Sequence, residues 1–508
     1  MDIFQNMSDL FHNISDDGRD VRRLRLFIDG KWDESAERTY FELFTPIDGT
    51  LLAYVSKACD ADVERAVTAA KTQQRRIRDI AAIERIEIFR QTSQILEDRL
   101  EDFVTALIYE AGKPRRDAEA EVKATVMRLR LTMEEVKKIS GEYIPGDWSE
   151  DTRGKIALVI REPVGVVAAI SPFNYPLFIQ AAKVVPALLA GNSVVLKPAS
   201  ATPISALMFA RVLQESGLPD GCLNVLTGPS TIGMKLVTNP DVGLVSFTGS
   251  TQAGKEISRA VEVKRLHLEL GGKAVAIVLS DADIELAARK CVEGAFRNAG
   301  QRCDAVSLVL VEEAVAQHFV EKVLDEASKW VVGDPRKENV NLGPLINNVQ
   351  VQRVHRLVVD AVEKGAKLLM GGRFEGNYYQ PTVLDHVPKS AEIMWEEIFG
   401  PVLPIARVRD VGEALEIASA QRYGLDSCVF TNNFYRMWSV AKRLQVGSVT
   451  INDMPRHGVG YFPFGGVKES GIGREGIGYS IDEMTVLKTI VFNLEPIGYV
   501  KKKRTELM

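Results

Sequence analysis

The sequence has no long apolar run and few cysteines, and these two features argue against a membrane-spanning protein and against a disulfide-stabilised one. No apolar stretch approaches the ~20 residues that a membrane-spanning helix needs. The five cysteines among 508 residues are scattered, without zinc-site spacing or the density of a disulfide-stabilised domain. The first residues lack the basic-then-apolar order of a signal peptide. We therefore expect a cytoplasmic protein with no bound metal, no membrane contact and at least one reactive thiol.

The sequence also lacks an excess of charge of either sign. Its 63 basic and 68 acidic residues give a net charge of −5, so nothing favours nucleic acid as a partner. A hydrophobic share of 46% and a charged share of 26% are typical of a soluble globular protein. A chain of 508 residues exceeds what one core holds, so two or three domains are expected.

The order of the predicted elements indicates an α/β fold. Residues 60–138 have helical periodicity and predict two or three long helices. From residue 164 onward, short apolar strands alternate with helices, which favours a parallel sheet covered on both faces. The predicted strands are 164–170, 193–197, 223–226 and 242–247, and the predicted helices are 177–189, 204–215 and one from about 251. The alternation restarts at 275–279 and predicts a second α/β domain.

The segment 485–493 reads as a strong strand with no partner nearby in the sequence. Together with residues 141–160 it is predicted to form an exposed pair of strands that docks on another subunit.

Two strand ends carry residues suited to a phosphorylated cofactor, because ligands bind beyond the carboxyl ends of parallel strands. Lys197 ends one strand, while Gly249 and Ser250 follow another and open a helix. Taken alone, Lys197 fits a solvated surface lysine better than a cofactor ligand, and the turn fits a tight loop without a ligand equally well.

The chemistry centres on Cys303, which directly follows Arg302, and on Glu269, 34 residues earlier. A neighbouring cation favours the thiolate, which makes Cys303 a candidate nucleophile. A carboxylate that activates water suggests thiol attack followed by hydrolysis. The alternatives are an inert buried cysteine and a glutamate in a surface ion pair.

Seven motifs in register carry a resemblance to the aldehyde dehydrogenase superfamily over nearly the whole chain after about residue 25. They are SPFNYP at 171–176, LKP at 196–198, FTGS at 247–250, ELGG at 269–272, GQRC at 300–303, EEIFGP at 396–401 and PFGGVKESG at 463–471.

The resemblance implies a Rossmann-type parallel-sheet cofactor domain, an α/β catalytic domain and a small β oligomerisation flap in a homotetramer, a dimer of dimers. The implied ranges are 22–140 and 161–268 for the cofactor domain, 269–480 for the catalytic domain, and 141–160 and 481–508 for the flap.

The resemblance also assigns roles to single residues. Cys303 is the implied nucleophile, Glu269 the general base and Asn174 the oxyanion donor. The implied NAD(P)-binding residues are Ser171, Pro172, Lys197, Ser200, Gly228, Gly249, Ser250, Gly271, Glu397 and Phe399.

Two details narrow the reaction. Glu269 favours hydrolysis to a free acid, since the coenzyme A-acylating branch of the superfamily lacks this glutamate. Ser200 stands where NAD-preferring members often have a glutamate, and a serine removes the repulsion of a 2′-phosphate. The sequence therefore predicts that NADP is accepted and preferred, with NAD possible.

The predicted substrate side is rich in cations, which suits an anionic aldehyde. Tyr175, Arg302, Arg456 and His457 are the candidates, and Arg128 and Arg130 are possible additions. The runs at 141–148, 300–304 and 451–458 are similar to the archaeal-type non-phosphorylating glyceraldehyde-3-phosphate dehydrogenases, which implies oxidation of glyceraldehyde 3-phosphate to 3-phosphoglycerate. A semialdehyde, lactaldehyde or broad-range aldehyde dehydrogenase stays open, as does a catalytically silent structural homologue.

Overall fold

The computed structural model describes residues 22–458 and 460–494 together with the backbone of Ser15–Asp16. The last part of the predicted flap, 495–508, lies outside the described residues. None of the described helices has the length and apolar character that crossing a lipid bilayer requires.

An eight-stranded sheet is built around five parallel strands, with antiparallel strands at both edges. Its central strand Val166–Ile170 is apolar at every position because both faces are covered. Along Val166–Ile170, residues 167 and 169 pack in one core cluster while 166, 168 and 170 pack in another. From edge to edge the strands are Gly471–Ile472, Arg265–Glu269, Val242–Thr248, Val166–Ile170, Ser193–Lys197, Leu223–Val225, Leu26–Ile28 and Lys31–Asp33.

A seven-stranded sheet, parallel except at one edge, forms from residues after 273. It holds the third core cluster. From edge to edge its strands are Lys367–Met370, Thr382–Asp385, Val402–Val408, Val306–Glu312, Ala274–Val278, Asp426–Phe430 and Ser448–Ile451. The predicted α/β class with parallel sheets is confirmed.

A separate three-stranded antiparallel sheet joins the two segments that the sequence predicts to pair. Thr485–Asn493 aligns with the full length of Lys155–Pro163, which pairs in turn with Glu142–Pro145. The pairing is confirmed, and docking on another subunit stays a prediction. A four-stranded sheet and two short two-stranded sheets complete the described β structure with Ser15–Asp16, Arg23–Leu24, Leu51–Ser56, Tyr40–Phe44, Phe374–Glu375, Tyr378–Tyr379, Tyr423–Gly424 and Val467–Lys468.

The helical region before residue 138 differs from the prediction of two or three long helices, because it holds four long helices and one short one. Two of the breaks carry no glycine or proline signal: Ile80 is extended, and Arg99 alone separates two helices. Gly112, at a φ of 68°, ends the third helix. The α-helices of the chain are Asp60–Asp79, Ala82–Asp98, Leu100–Ala111, Arg115–Arg130, Thr132–Val136, Pro176–Leu189, Ile204–Glu215, Ser230–Thr238, Thr251–Ala260, Ile284–Phe296, Glu313–Ala327, Asn348–Glu363, Val411–Ala420, Phe434–Arg443 and Ser480–Glu483, with 3₁₀ turns at Gly146–Trp148, Arg297–Gly300 and Glu392–Met394.

Candidate active site

A cleft of about 410 Å³ lies at the carboxyl ends of the parallel strands of the eight-stranded sheet, and Cys303 and Asn174 line it. Most of the residues that the sequence assigns to a cofactor line the same cleft. They are Ser171, Pro172, Lys197, Ser200, Gly249, Ser250, Gly271, Glu397 and Phe399. The fold thus brings together groups that are up to 228 positions apart, from Ser171 to Phe399.

Two loops meet at Asn174 and are tied by amide hydrogen bonds. The Asn174 Nδ2 donates to the carbonyl of Gln301 at 3.0 Å, and the Asn298 Nδ2 donates to the carbonyl of Asn174 at 3.1 Å. A side-chain amide nitrogen carries two protons, so Asn174 keeps one N–H for a ligand. Asn298 was missed by the sequence reasoning, although it lies within the run that contains Cys303.

The backbone before Cys303 is strained. Asn298, Ala299 and Gly300 have successive φ values of 53°, 54° and 70°, a left-handed conformation that costs free energy for the two residues with side chains. A Cβ on Gly300 would lie 2.1 Å from the carbonyl oxygen of Gly400, so only glycine fits there. Strain of this kind fixes the direction in which the chain presents Cys303.

The loop that follows Glu269 packs directly against the Cys303 backbone. A Cβ on Gly272 would lie 2.2 Å from the Cys303 carbonyl oxygen, and the Gly272 N–H donates to Glu397 Oε1 at 3.1 Å. The close approach of backbone to backbone sets the separation of the predicted base from the predicted nucleophile.

The free thiol of Cys303 is not held as a thiolate by Arg302, and that expectation is wrong. Burial raises the pKa of Cys303 well above its ordinary value, and the carboxylates of Asp304, Asp426 and Glu269 raise it further. The Arg302 guanidinium is directed to Asp304, with Nη2 2.7 Å from Oδ2, so that carboxylate offsets its charge. The thiol therefore rests in the protonated form.

Glu269 ends its strand in a buried position, which rules out the alternative of a surface ion pair. The residue is 2% exposed, and neither carboxylate oxygen has a hydrogen-bond partner among the described residues. Burial raises the pKa of Glu269 well above its ordinary value and Glu475 raises it further, while Lys183 opposes the shift. A carboxyl group of this kind is a strong base once ionised.

A buried ion pair supports the loop that carries Asn174 and Tyr175. Glu121 Oε1 accepts from the backbone N–H groups of Leu177 at 2.9 Å and Phe178 at 3.1 Å, which occupies two donors at the start of the helix Pro176–Leu189. Glu121 also pairs with Lys113, whose Nζ lies 3.7 Å from the centre of the Tyr175 ring. The sequence reasoning missed both residues of the pair.

The lysine and serine of the cleft have the chemistry to hold a phosphorylated cofactor. Burial lowers the pKa of Lys197 to about 8, and among the described residues its Nζ has only the Pro198 carbonyl, at 3.0 Å, as an acceptor. The hydroxyl of Ser250 accepts from Ala253 N at 3.2 Å, which leaves its proton free to donate to an anion. The alternative of a solvated surface lysine at 197 is excluded.

Ser200, Phe399 and Glu397 are the other predicted cofactor residues whose surroundings are defined. The Ser200 hydroxyl donates to the carbonyl of Gly228 at 2.7 Å, so Gly228 supports the cleft from behind Ser200 rather than lining it. The ring of Phe399 packs edge-on against Phe173 with centroids 5.8 Å apart. Burial raises the pKa of Glu397 above its ordinary value.

The predicted substrate-side cations differ in their surroundings. Arg302 is buried and its Nη1 has no hydrogen-bond partner among the described residues. Burial alone would lower the pKa of His457, but its hydrogen bond to Asp426, at 3.0 Å, and that carboxylate's charge raise it. Arg302 therefore offers a free donor, and His457 an imidazole that ionises readily.

The other arginines have carboxylate neighbours. Arg128 forms a buried ion pair with Glu135, although its Nη1 makes no hydrogen bond among the described residues, and Arg130 pairs with Glu97 at the surface. That they join the substrate site stays a prediction. Arg456 is half exposed, with Nη2 3.7 Å from Glu293 Oε1.

Comparison with known proteins agrees with this geometry. The family model described as "Aldehyde dehydrogenase family" matches residues 32–490. The chain is 38% identical to the 3-sulfolactaldehyde dehydrogenase of Priestia aryabhattai, over 93% of the chain and 99% of that protein. It is 39% identical to the NADP-dependent glyceraldehyde-3-phosphate dehydrogenase of Streptococcus equinus, over 93% and 99%. The crystal structure of the NADP-dependent glyceraldehyde-3-phosphate dehydrogenase of Bacillus halodurans in complex with NADP superposes with a TM-score of 0.91 at 38% identity, covering 93% of the chain and 99% of that structure.

Proposed function

The chain belongs to the aldehyde dehydrogenase family, and we propose that it oxidises glyceraldehyde 3-phosphate irreversibly to 3-phosphoglycerate with NADP in the cytoplasm. The observation that carries the choice of an anionic substrate is the buried, unpaired Nη1 of Arg302 next to Cys303. A buried guanidinium nitrogen without a partner is costly, and a phosphate oxygen that binds it removes the cost.

The cleft fits NADP because it presents a buried cation at Lys197 and a free hydroxyl donor at Ser250, the first residue before a helix. Lys197 and Ser200 would hold the adenosine side, Ser250 the pyrophosphate, and Glu397 the nicotinamide ribose. When bound, the cofactor supplies the nicotinamide that accepts hydride from the substrate. We assign this binding to the eight-stranded sheet and the covalent chemistry to the segment that begins at residue 269.

The protein residues would carry out the acyl transfer in two steps. Cys303, which lines the cleft, gives up its thiol proton to solvent as its sulfur adds to the aldehyde carbon, and the remaining N–H of Asn174 and the Cys303 backbone N–H stabilise the oxyanion. Preorganised donors of this kind contribute roughly 3–4 kcal/mol. After oxidation the acyl group is a thioester on Cys303, and Glu269 takes a proton from the water that hydrolyses it.

Replacing Arg302 by alanine should lower kcat/KM for anionic aldehydes much more than for neutral ones. We expect Arg302→Ala to lower kcat/KM for glyceraldehyde 3-phosphate by about 50-fold, since a charge-assisted hydrogen bond is lost. The kcat/KM for glyceraldehyde should change by less than about threefold. Steady-state rates of NADPH formation with both aldehydes measure this, with Arg456→Ala as a half-exposed arginine control. Equal losses on both aldehydes would refute the anion-binding role.

A second substrate is favoured by one comparison. The relative named 3-sulfolactaldehyde dehydrogenase acts, by its name, on an aldehyde with a sulfonate, and a sulfonate also pairs with a guanidinium. A panel of glyceraldehyde 3-phosphate, 3-sulfolactaldehyde, lactaldehyde and succinic semialdehyde, compared by kcat/KM, decides between these substrates. A higher kcat/KM for any of the last three replaces the proposed substrate.

The cofactor preference should depend on Ser200. Placing a carboxylate there with Ser200→Glu should lower kcat/KM for NADP about 100-fold, because it repels the 2′-phosphate and can bond the ribose hydroxyl of NAD instead. Ser200→Gln is the matched control of equal size without charge. Titration of both cofactors against wild type measures the change, and a wild-type preference for NAD contradicts the proposal at once.

We also propose a homotetramer, a dimer of dimers. The strand Thr485–Asn493 presents exposed apolar side chains at Leu487, Val491 and Phe492, more than an edge strand in water usually shows. Light scattering of the purified protein measures the assembly.

A further inference from the structure

A buried row of polar side chains leads from Glu269 to Glu475. His267 Nε2 lies 3.3 Å from Glu269 Oε1, and His267 Nδ1 lies 3.2 Å from the Ser246 hydroxyl. Lys183 Nζ donates to the same hydroxyl at 3.2 Å and lies 3.5 Å from Glu475 Oε2. Glu475, whose side chain is 13% exposed, is the most accessible end of the row.

The strand register places these groups together. His267 and Glu269 are two residues apart on Arg265–Glu269, so their side chains project from the same face. Ser246 is the direct partner of His267 on the neighbouring parallel strand. The contact of His267 with Glu269 is therefore a property of the sheet and not of a mobile loop.

The donors and acceptors of the row fix its direction. An ammonium group only donates, so the Ser246 oxygen accepts from Lys183, and the one acceptor among the described residues that faces the hydroxyl proton is His267 Nδ1. This arrangement places the imidazole proton on Nε2, facing Glu269. Burial and the charge of Lys183 lower the pKa of His267, so the ring is neutral and holds a single proton.

Neither side of the last contact has another partner. His267 Nε2 and both oxygens of Glu269 are buried and make no hydrogen bond within the described part of the chain. Leaving such groups unpaired costs free energy, and at 3.3 Å a small rotation of the ring joins them.

We propose that His267 is a positioning residue for Glu269: its Nε2–H holds Oε1 and favours the ionised carboxylate, which leaves Oε2 to take the proton from the hydrolytic water. The inference rests on the proposed function, in which Glu269 activates that water. It adds a residue that the seven motifs do not contain.

The other charges that face this pair stay constant when His267 is replaced. Glu475 and Asp426 disfavour ionisation of Glu269, while Lys183 and Arg474 favour it. On the cleft side, the charge of Glu269 raises the pKa of Cys303. Behind His267, the Cβ position of Gly473 lies 2.8 Å from the ring carbon Cδ2 and 3.0 Å from Glu483 Oε1. A difference in the pH dependence of hydrolysis between variants at position 267 is therefore due to the loss of the imidazole.

Replacing His267 should shift the pH dependence of thioester hydrolysis in a direction set by the role of Glu269 as a base. Glu269 works only when ionised, and loss of a donor to the carboxylate raises its pKa. Hydrolysis of the thioester should then begin at a higher pH. The steps before hydrolysis do not use Glu269 and should keep their rate.

The test compares His267→Leu with His267→Gln, because glutamine keeps an N–H near the Nε2 position while leucine has none. Stopped-flow NADPH formation gives the first-turnover rate, and quenched samples give the rate of thioester hydrolysis from pH 5 to 9. In His267→Leu we expect the acid limb of hydrolysis to move up by about one pH unit and the neutral rate to fall about tenfold. The first-turnover rate should not change, and His267→Gln should lie within about threefold of wild type.

Three results overturn the inference: an unshifted limb in His267→Leu, equal behaviour of leucine and glutamine, or an equal loss in the first turnover, which marks a structural role. If His267→Leu does not fold, Ser246→Ala tests the same row of side chains. Without the Ser246 hydroxyl the His267 ring is free to turn away from Glu269, so the acid limb of hydrolysis should again move to higher pH. Glu269→Gln distinguishes a failure of the proposed function from a failure of the role of His267. If Glu269→Gln still turns over at the wild-type rate, the proposed function is contradicted. If Glu269→Gln is blocked while His267→Leu behaves like wild type, only the role of His267 is contradicted.

Discussion

Cys303→Ala is expected to abolish aldehyde oxidation, with a loss on the order of 10⁴-fold or more in kcat/KM. No other cysteine among the described residues lines the cleft. Cys291 and Cys428 are buried in the core of the seven-stranded sheet, and Cys222 is buried in the eight-stranded one. The measurement is NADPH formation with glyceraldehyde 3-phosphate, with cofactor affinity followed in parallel by fluorescence titration.

Affinity for NADP should stay within about twofold of wild type, since the contacts assigned to the cofactor do not use the thiol. Cys59→Ser is the matched control, because Cys59 is a free and partly exposed thiol at the start of the helix Asp60–Asp79. An enzyme that keeps activity without Cys303 would rule out the thioester route. A wild-type enzyme that forms no NADPH with any aldehyde would revive a silent structural homologue.

Glu269→Gln is expected to convert the enzyme into one that completes a single turnover and then stalls. Glutamine has nearly the shape of glutamate and cannot accept a proton, so acylation and oxidation proceed while hydrolysis slows by about 10²–10³-fold. The observable is a burst of NADPH close to one equivalent per active site, followed by a slow steady state. Mass spectrometry of the quenched protein should show the acyl group on the peptide that contains Cys303.

The matched control for this change is Glu37→Gln, which neutralises an exposed glutamate far from the cleft in the sequence. It should show wild-type turnover. If Glu269→Gln slows the first turnover as much as the steady state, Glu269 acts before hydrolysis and the assignment as base is wrong.

The sequence predicts some elements to the residue. The observed strand Ser193–Lys197, helix Ile204–Glu215 and strand Thr485–Asn493 have the predicted bounds. The first two succeed because the middle of a strand covered on both faces is a continuous apolar run, and because Gly and Pro flank both elements. The residues of the cleft follow from the same logic, since parallel strands present their carboxyl ends at one edge.

The predictions from the sequence are wrong where the contacts of a side chain depend on residues that are distant in the sequence. The neighbour relation of Arg302 and Cys303 does not reveal that the guanidinium turns to Asp304 and the Pro455 carbonyl. Whether the thiol is ionised depends on burial, which belongs to the whole fold. His267, by contrast, was within reach, because a polar residue two positions before Glu269 in a strand shares its face.

The strained turn before Cys303 has a consequence for engineering the enzyme. Ala299 at a φ of 54° holds a conformation that a glycine adopts at a lower cost, by about 1 kcal/mol. A glycine there would also let the turn relax into other conformations, and the direction of the nucleophile would be lost with it. Ala299→Gly would thus exchange relief of backbone strain for a less defined orientation of Cys303.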